Sequence, residues 1–175
     1  MAAVMNETAP VQESLEKVFA ERARKLAVST TDEKQRESVA NVALFRVGAE
    51  AFGVDALSVR DIAPLPPVTA LPCLPSLLTG IIQLRGELMS VIDAAVLLEL
   101  DEAPSARYCI VLESRRGAVG LAVSAIDGFR EIFADELIDG LGKGHRPVMA
   151  TTRDLVSMLD VEQVFAHDKL IVNTR

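Results

Sequence analysis

The sequence has no tryptophan, one tyrosine and six phenylalanines, so aromatic residues make up only 4% of its 175 positions. Half of the residues are nevertheless hydrophobic. The core must therefore be assembled from valine, leucine, isoleucine and alanine. Charged residues make up 25%, an ordinary share that argues against disorder over most of the chain. This length suits one domain, or two small ones packed together.

Excess positive charge is also missing, because 18 Lys and Arg against 25 Asp and Glu leave a net charge of −7. An acidic chain cannot grip a phosphate backbone, so we expect no nucleic-acid partner. The most apolar stretch, residues 71–84, is interrupted by prolines and a glycine and is too short to span a bilayer. Glutamates break up the N-terminal residues, so we expect no signal peptide, no membrane insertion and a cytoplasmic protein.

Recognisable catalytic and metal-binding motifs are absent as well. Cys73 and Cys109 are far apart in sequence. A disulfide between them is one alternative, but two buried thiols are the expected state in a cytosolic protein. His145 and His167 have no second ligand at metal-site spacing. Residues 140–144 are glycine-rich but lack the hydroxyl of a P-loop, which favours a flexible loop. We therefore predict no catalytic, cofactor-binding or metal-binding residues.

The first forty residues differ in texture from the rest. Apolar side chains recur at helical spacing over residues 10–27, and residues 29–38 are polar. We predict an amphipathic helix followed by a linker over residues 1–40. The apolar face would either pack on the protein's own body or dock another chain. The first alternative is favoured because most amphipathic helices cover a core.

From about residue 42 onward, short apolar runs alternate with turn signals, a pattern typical of small barrels and sandwiches. Short helices are predicted over residues 96–100 and 161–166. Strands are predicted at residues 42–47, 52–54, 81–84, 88–92, 108–112, 119–123, 129–133, 148–151 and 155–159.

A repeat with a constant offset of 67 residues runs through this region. It relates Gly53 to Gly120 and Asp93 to Asp160, and the segment 88–93 returns as 155–160. A constant offset predicts one small β unit that occurs twice, with a core shared at the join. We therefore expect one domain over residues 41–168, made of two repeated β subdomains, and a C-terminal tail over 169–175.

The order and spacing of several short motifs resemble the CheW family, the adaptor proteins of bacterial chemosensory arrays. The resemblance covers residues 42–165. Its most specific part is residues 80–86 followed by Val91-Ile92-Asp93. The other motifs are Phe52-Gly53-Val54-Asp55, Val59-Arg60-Asp61-Ile62, Ile110-Val111-Leu112, Val119-Gly120-Leu121-Ala122-Val123 and Leu155-Val156-Ser157-Met158-Leu159-Asp160.

The resemblance implies a mainly β fold of two packed, five-stranded SH3-like β-barrels, with neither catalysis nor a cofactor. CheW-like proteins bind the regulatory domain of the histidine kinase CheA and the hairpin tip of chemoreceptors, and so couple receptor state to kinase activity. The same two partners are implied here, in the cytoplasm at membrane-associated receptor arrays. An adaptor of a non-motility pathway, which binds the kinase but modulates or competes with receptor coupling, is an alternative.

The resemblance also assigns individual residues. Val59, Asp61 and Arg85 match kinase-facing positions of the family, and Gly80 and Phe129 match positions at the receptor groove. Three of these residues have a structural alternative: Arg85 as a turn residue, Gly80 for backbone conformation and Phe129 for the core.

The sequence departs from the family pattern at Gln83, Ser90 and Ser124, where Asn, Pro and an acidic residue are usual. These departures leave the identity of the partners more open than the fold.

Overall fold

The computed structural model describes residues 38–101, 105–138 and 146–170. The predicted N-terminal helix, most of the predicted linker, the glycine-rich segment and His145 lie outside these ranges, as does the tail from residue 171. Within the described ranges the fold is mainly β, as predicted, with eleven strands in two sheets.

The strands follow one another closely along the chain, with two short helices at Ala94–Leu97 and Val161–Ala166 and single 3-10 turns at Ala56–Ser58, Ala134–Glu136 and Asp168–Leu170. The strands are β1 Ser38–Val47, β2 Glu50–Asp55, β3 Val59–Pro64, β4 Leu78–Leu84, β5 Glu87–Asp93, β6 Tyr108–Ser114, β7 Gly117–Val123, β8 Ala125–Phe133, β9 Leu137–Ile138, β10 Val148–Thr152 and β11 Ser157–Leu159.

All nine predicted strands are present, but β3 and β9 were missed. β3 contains Arg60 and Asp61 and ends in Pro64, so it shows no apolar alternation. β9 has only two residues, too few for a pattern. The first predicted helix begins two residues and ends three residues earlier than expected, and the second has the predicted bounds.

The two sheets share one topology. Their strand orders are β8-β1-β2-β11-β10-β9 and β3-β6-β7-β5-β4. In each, an antiparallel hairpin is flanked by one parallel strand: β11 beside β2, and β5 beside β7. One sheet has the expected five strands, whereas β9 adds a sixth to the other.

The 67-residue offset reappears in the register of these parallel pairs. Met158 lies opposite Gly53, and Val91 lies opposite Gly120. Asp93 and Asp160 each cap the short helix that follows, accepting backbone N–H groups. Each sheet nevertheless combines the hairpin of one half of the sequence with the later strands of the other. The halves are thus interlocked rather than stacked as separate units.

Three apolar clusters fill the part of the fold that the structure describes. The largest draws on both sheets and includes Phe45, Phe52, Ile110 and Leu121. Each sheet also has a cluster of its own: Ile82, Met89, Val91, Cys109, Val111 and Ala122 in one, and Val42, Ile132, Ala150 and Met158 in the other. Successive residues of β6 alternate between the shared cluster and the separate one, so both faces of this strand are buried.

The five-stranded sheet curves so that its two edges approach each other. β3 and β4 stand at opposite ends of its strand order. The segment after β3 nevertheless reaches β4, where Thr69 and Ile81 exchange two backbone hydrogen bonds of 2.8 and 3.0 Å. The Thr69–Ile81 contact favours barrel-like closure of the five-stranded sheet. The SH3-like form expected of both barrels stays a prediction.

Candidate interaction site

The tip of the β4–β5 hairpin carries a residue in an unfavourable backbone conformation. Leu84 pairs with Glu87, so Arg85 and Gly86 form a two-residue turn. Their φ angles of 49° and 89° are those of a type I′ turn, which suits the right-handed twist of the strands. Gly86 adopts such an angle freely, but Arg85 pays about 1 kcal/mol for it. Asn or Gly would be the ordinary residue at this position.

Arg85 makes a two-pronged ion pair with Asp61 of β3. Nη2 of Arg85 lies 3.0 Å from Oδ1 of Asp61, and Nε lies 2.5 Å from Oδ2. The Asp61 side chain is 19% exposed, whereas that of Arg85 is 75% exposed. Asp61 also accepts the N–H of Ile62 at 2.9 Å, which fixes its carboxylate further. The anion is therefore held in place and the cation faces outward.

A cleft of about 250 Å³ lies at this pair. Leu84, Met89 and Val111 supply its apolar lining, and charged side chains of β3 and the hairpin supply the rest. The Asp61–Arg85 pair is therefore accessible from solvent at this cleft.

Val59 begins β3 beside this pair. It is half-buried and packs against the shared core cluster, so its exposed part is small. The preceding 3-10 turn is capped by Asp55, whose carboxylate accepts the N–H of Leu57 at 3.0 Å. Leu57 is 94% exposed and was not singled out from the sequence, where a single leucine between Ala56 and Ser58 gives no signal.

Gly80 is buried, and its place in the fold requires a glycine. Its φ is +153°, and a Cβ atom built there would lie 2.3 Å from the carbonyl oxygen of Thr69 and 2.9 Å from Cγ1 of Val68. The close approach of the segment after β3 therefore explains this residue on structural grounds. Its assignment to a receptor-facing surface stays a prediction.

Phe129 lies on β8 of the six-stranded sheet, opposite Ala43 of β1. Its side chain is 61% exposed, so the alternative that it fills the core is wrong. Phe129 and Gly80 belong to different sheets, whereas Val59, Asp61 and Arg85 all belong to the five-stranded sheet and its hairpin.

Ser124 explains one departure from the family pattern. Its hydroxyl donates to the carbonyl of Arg46 at 2.8 Å and accepts the N–H of Gly48 at 3.1 Å. It thereby ties the end of β7 to the β1–β2 hairpin of the other sheet. An acidic side chain could not donate the first of these bonds.

The cysteines differ from each other. Both are free, but Cys73 is exposed, so the prediction of two buried thiols holds only for Cys109. Burial, and secondly the negative charge of Asp61, raise the pKa of the Cys109 thiol from 9.0 to about 11. Cys109 is consequently a neutral packing residue near neutral pH.

Among the described residues, no three His, Cys, Asp or Glu side chains are grouped in a way that could hold a metal ion. A search of the same residues finds no helix with the length and hydropathy needed to cross a membrane.

Comparison with known proteins identifies the family. Residues 41–169 match the family model of the CheW-like domain. The chain is 32% identical over 150 residues to a Rhizobium etli protein named "Probable chemotaxis protein CheW", covering 80% of this chain and 94% of that protein. It is 31% identical over 133 residues to "Chemotaxis protein CheW" of Rhizobium meliloti, covering 75% and 77%.

A solved structure supports the fold. The scaffolding protein TtCheW of Thermoanaerobacter tengcongensis superposes with a TM-score of 0.64 at 21% identity, covering 78% of this chain and 95% of that one. From the family match and the two relatives together, this chain belongs to the CheW-like family of non-enzymatic chemotaxis adaptors.

Proposed function

We propose that this protein couples chemoreceptors to a CheA-type histidine kinase in a bacterial chemosensory array. In this role it binds the kinase regulatory domain through the surface around Asp61 and Arg85, and the receptor hairpin tip through a surface that includes Phe129. The array would place it in the cytoplasm beside the membrane-embedded receptors.

The observation that carries the proposal is the exposed, strained arginine of the hairpin. The Arg85 guanidinium is 75% exposed, so its pair with Asp61 contributes on the order of 1 kcal/mol, about as much as the backbone conformation of Arg85 costs. Residues held in an unfavourable backbone conformation that does not add to the stability of the fold are typical of functional surfaces. Its forked guanidinium, held by a fixed carboxylate, suits recognition of a partner.

Phe129 supports the receptor half of the proposal. A large aromatic ring that is 61% exposed on a strand brings no benefit to the core. Aromatic side chains are enriched at the centres of protein interfaces. Glu131, two positions further along β8, is charged and exposed, so Phe129 is a single apolar contact with polar surroundings on this side.

The kinase half is tested with Asp61→Arg, measured by isothermal titration calorimetry against a CheA-type regulatory domain. Reversing this charge places two cations together and should weaken binding at least about tenfold. The matched control is Asp127→Arg, which reverses the acidic partner of an exposed pair, Arg46–Asp127, on the other sheet. Asp127→Arg should melt close to the wild type, whereas Asp61→Arg should melt somewhat lower because its side chain is only 19% exposed and accepts the Ile62 N–H. Binding is therefore measured well below the melting transition of both variants. Unchanged binding by Asp61→Arg would contradict the assignment.

The receptor half is tested with Phe129→Ala against a receptor hairpin-tip fragment. We expect weaker receptor binding and unchanged kinase binding, because the two surfaces lie on different sheets. Strong kinase binding by the wild type without any receptor binding would instead support an adaptor that competes with coupling.

A further inference from the structure

A second ion pair, between Arg60 and Glu87, lies beside the Asp61–Arg85 pair and has the opposite polarity. Nη2 of Arg60 lies 2.6 Å from Oε2 of Glu87. Here the carboxylate is the more exposed partner, at 64% against 34% for Arg60. In the first pair the guanidinium is the more exposed partner. The hairpin tip therefore presents a cation at Arg85 and an anion at Glu87, separated only by Gly86.

A bulge in β3 allows two consecutive residues to hold this hairpin. In a regular strand Arg60 and Asp61 would point to opposite faces of the sheet. However, Val59 pairs with Leu112 and Asp61 with the adjacent Val111, so Arg60 is one extra residue in β3. Bulges of this kind redirect side chains. As a result, both side chains contact the β4–β5 hairpin, which stands at the other end of the strand order but is brought near β3 by the curvature of the sheet.

Glu113 of β6 adds to the negative side of this pattern. Its Oε1 lies 3.8 Å from Nη1 of Arg60, and its side chain is 53% exposed. Arg60 thus lies between two carboxylates that are both more exposed than itself. Glu87 and Glu113 are the exposed members of this second group of charges, whereas Arg85 is the exposed member of the first.

We propose that this ordered pair of charges fixes the orientation in which the kinase regulatory domain docks, an inference that rests on the proposed function. The partner surface then carries an acidic group opposite Arg85 and a basic group opposite Glu87 and Glu113. Arg60 is a positioning residue that acts by holding Glu87. Docking in the reversed orientation would bring like charges together, which is strongly unfavourable at an interface.

The test is the double variant Arg60→Glu/Glu87→Arg, made in a Glu113→Gln background so that no carboxylate faces the changed position 60. Compared with Glu113→Gln alone, it reverses the second pair while preserving the attraction of that pair, the net charge and the Asp61–Arg85 pair. We expect a melting temperature close to that of the wild type and at least about tenfold weaker binding to the kinase regulatory domain. The loss should shrink as salt is raised, because exposed charges are screened over about 10 Å at 0.1 M ionic strength. A purely structural defect would not depend on salt in this way.

Two further variants keep the result interpretable. Glu87→Gln removes only the exposed charge and should weaken binding severalfold even if the double variant folds poorly. Arg46→Asp/Asp127→Arg reverses an exposed pair on the other sheet and should bind the kinase normally. Full affinity of both Glu87 variants overturns the inference alone, provided that Asp61→Arg still weakens binding. A wild type that does not bind the regulatory domain overturns the inference and the proposed function together.

Discussion

Replacing Arg85 by asparagine separates its role at the surface from its role in the turn. Asparagine accepts positive φ, so Arg85→Asn removes a backbone penalty of about 1 kcal/mol. It also removes the pair with Asp61, which at this exposure contributes about 0.2–1 kcal/mol. The two effects oppose each other, and we expect a stability within about 1 kcal/mol of the wild type. This corresponds to a melting shift of no more than about 4 °C.

Two companion variants separate charge from geometry. Arg85→Ala keeps the strained turn and loses the pair, so it should be destabilised by up to about 1 kcal/mol. Arg85→Lys keeps the strain and the charge but cannot reproduce the two-pronged contact. All three variants should fold, and all three should reduce kinase activation in a reconstituted receptor–kinase array, measured as the rate of kinase autophosphorylation.

Kinase activation should not follow thermal stability in this series. Arg85→Asn should be the most stable of the three variants and still activate poorly. If Arg85→Asn and Arg85→Lys activate the kinase fully, and Arg85→Ala merely melts earlier, Arg85 is a turn residue and its place in the interface is refuted.

Three other predictions concern the fold. Gly80→Ala should destabilise the protein by at least about 2 kcal/mol in a urea titration, because the new Cβ would overlap the Thr69 carbonyl. Gly117→Ala is the control: its φ of +128° is also positive, but the space around it is open, so it should destabilise the protein less. An equal loss of stability would show that the close approach of Thr69 does not decide the requirement for glycine. A chain beginning at Thr31 should melt cooperatively, since the three apolar clusters described above lie beyond residue 38. An unfolded circular-dichroism spectrum of this shortened chain would show that the N-terminal segment belongs to the core. As the pH rises from 9 to 11, the Cys109 thiol loses its proton in the unfolded state before it does so in the folded state. The free energy of unfolding should therefore fall over this interval, and it should fall less steeply for Cys109→Ala. Identical slopes for the two proteins would contradict the raised pKa.

The strands and the repeat could be predicted because they depend on local patterns. Short apolar runs bounded by turn residues mark every long strand except β3, and the 67-residue offset survives in the register opposite Gly53 and Gly120. Local patterns do not say which hairpin joins which later strands, because equivalent segments of the two halves look alike. The exchange of strands between the halves was therefore invisible in the sequence.

The candidate site was only partly predictable for a related reason. Resemblance to the family pointed to Asp61 and Arg85 as an Asp–Arg pair, but no local pattern could, because they are 24 residues apart and lie on opposite edges of the sheet order. Only the curvature of the sheet brings them together. The Arg60 contacts depend on a bulge, which has no sequence signal here. The requirement for glycine at position 80 likewise depends on a distant backbone segment.

The central claim is that this adaptor couples receptor state to kinase activity. It is tested most directly by measuring autophosphorylation of a CheA-type kinase with receptors in nanodiscs, in the presence and absence of this protein. The account predicts that activity rises well above that of any two components only when all three are present, and falls again when the receptor binds its attractant. Kinase activity that is unchanged by this protein, with receptors and kinase both shown to be competent, would contradict it.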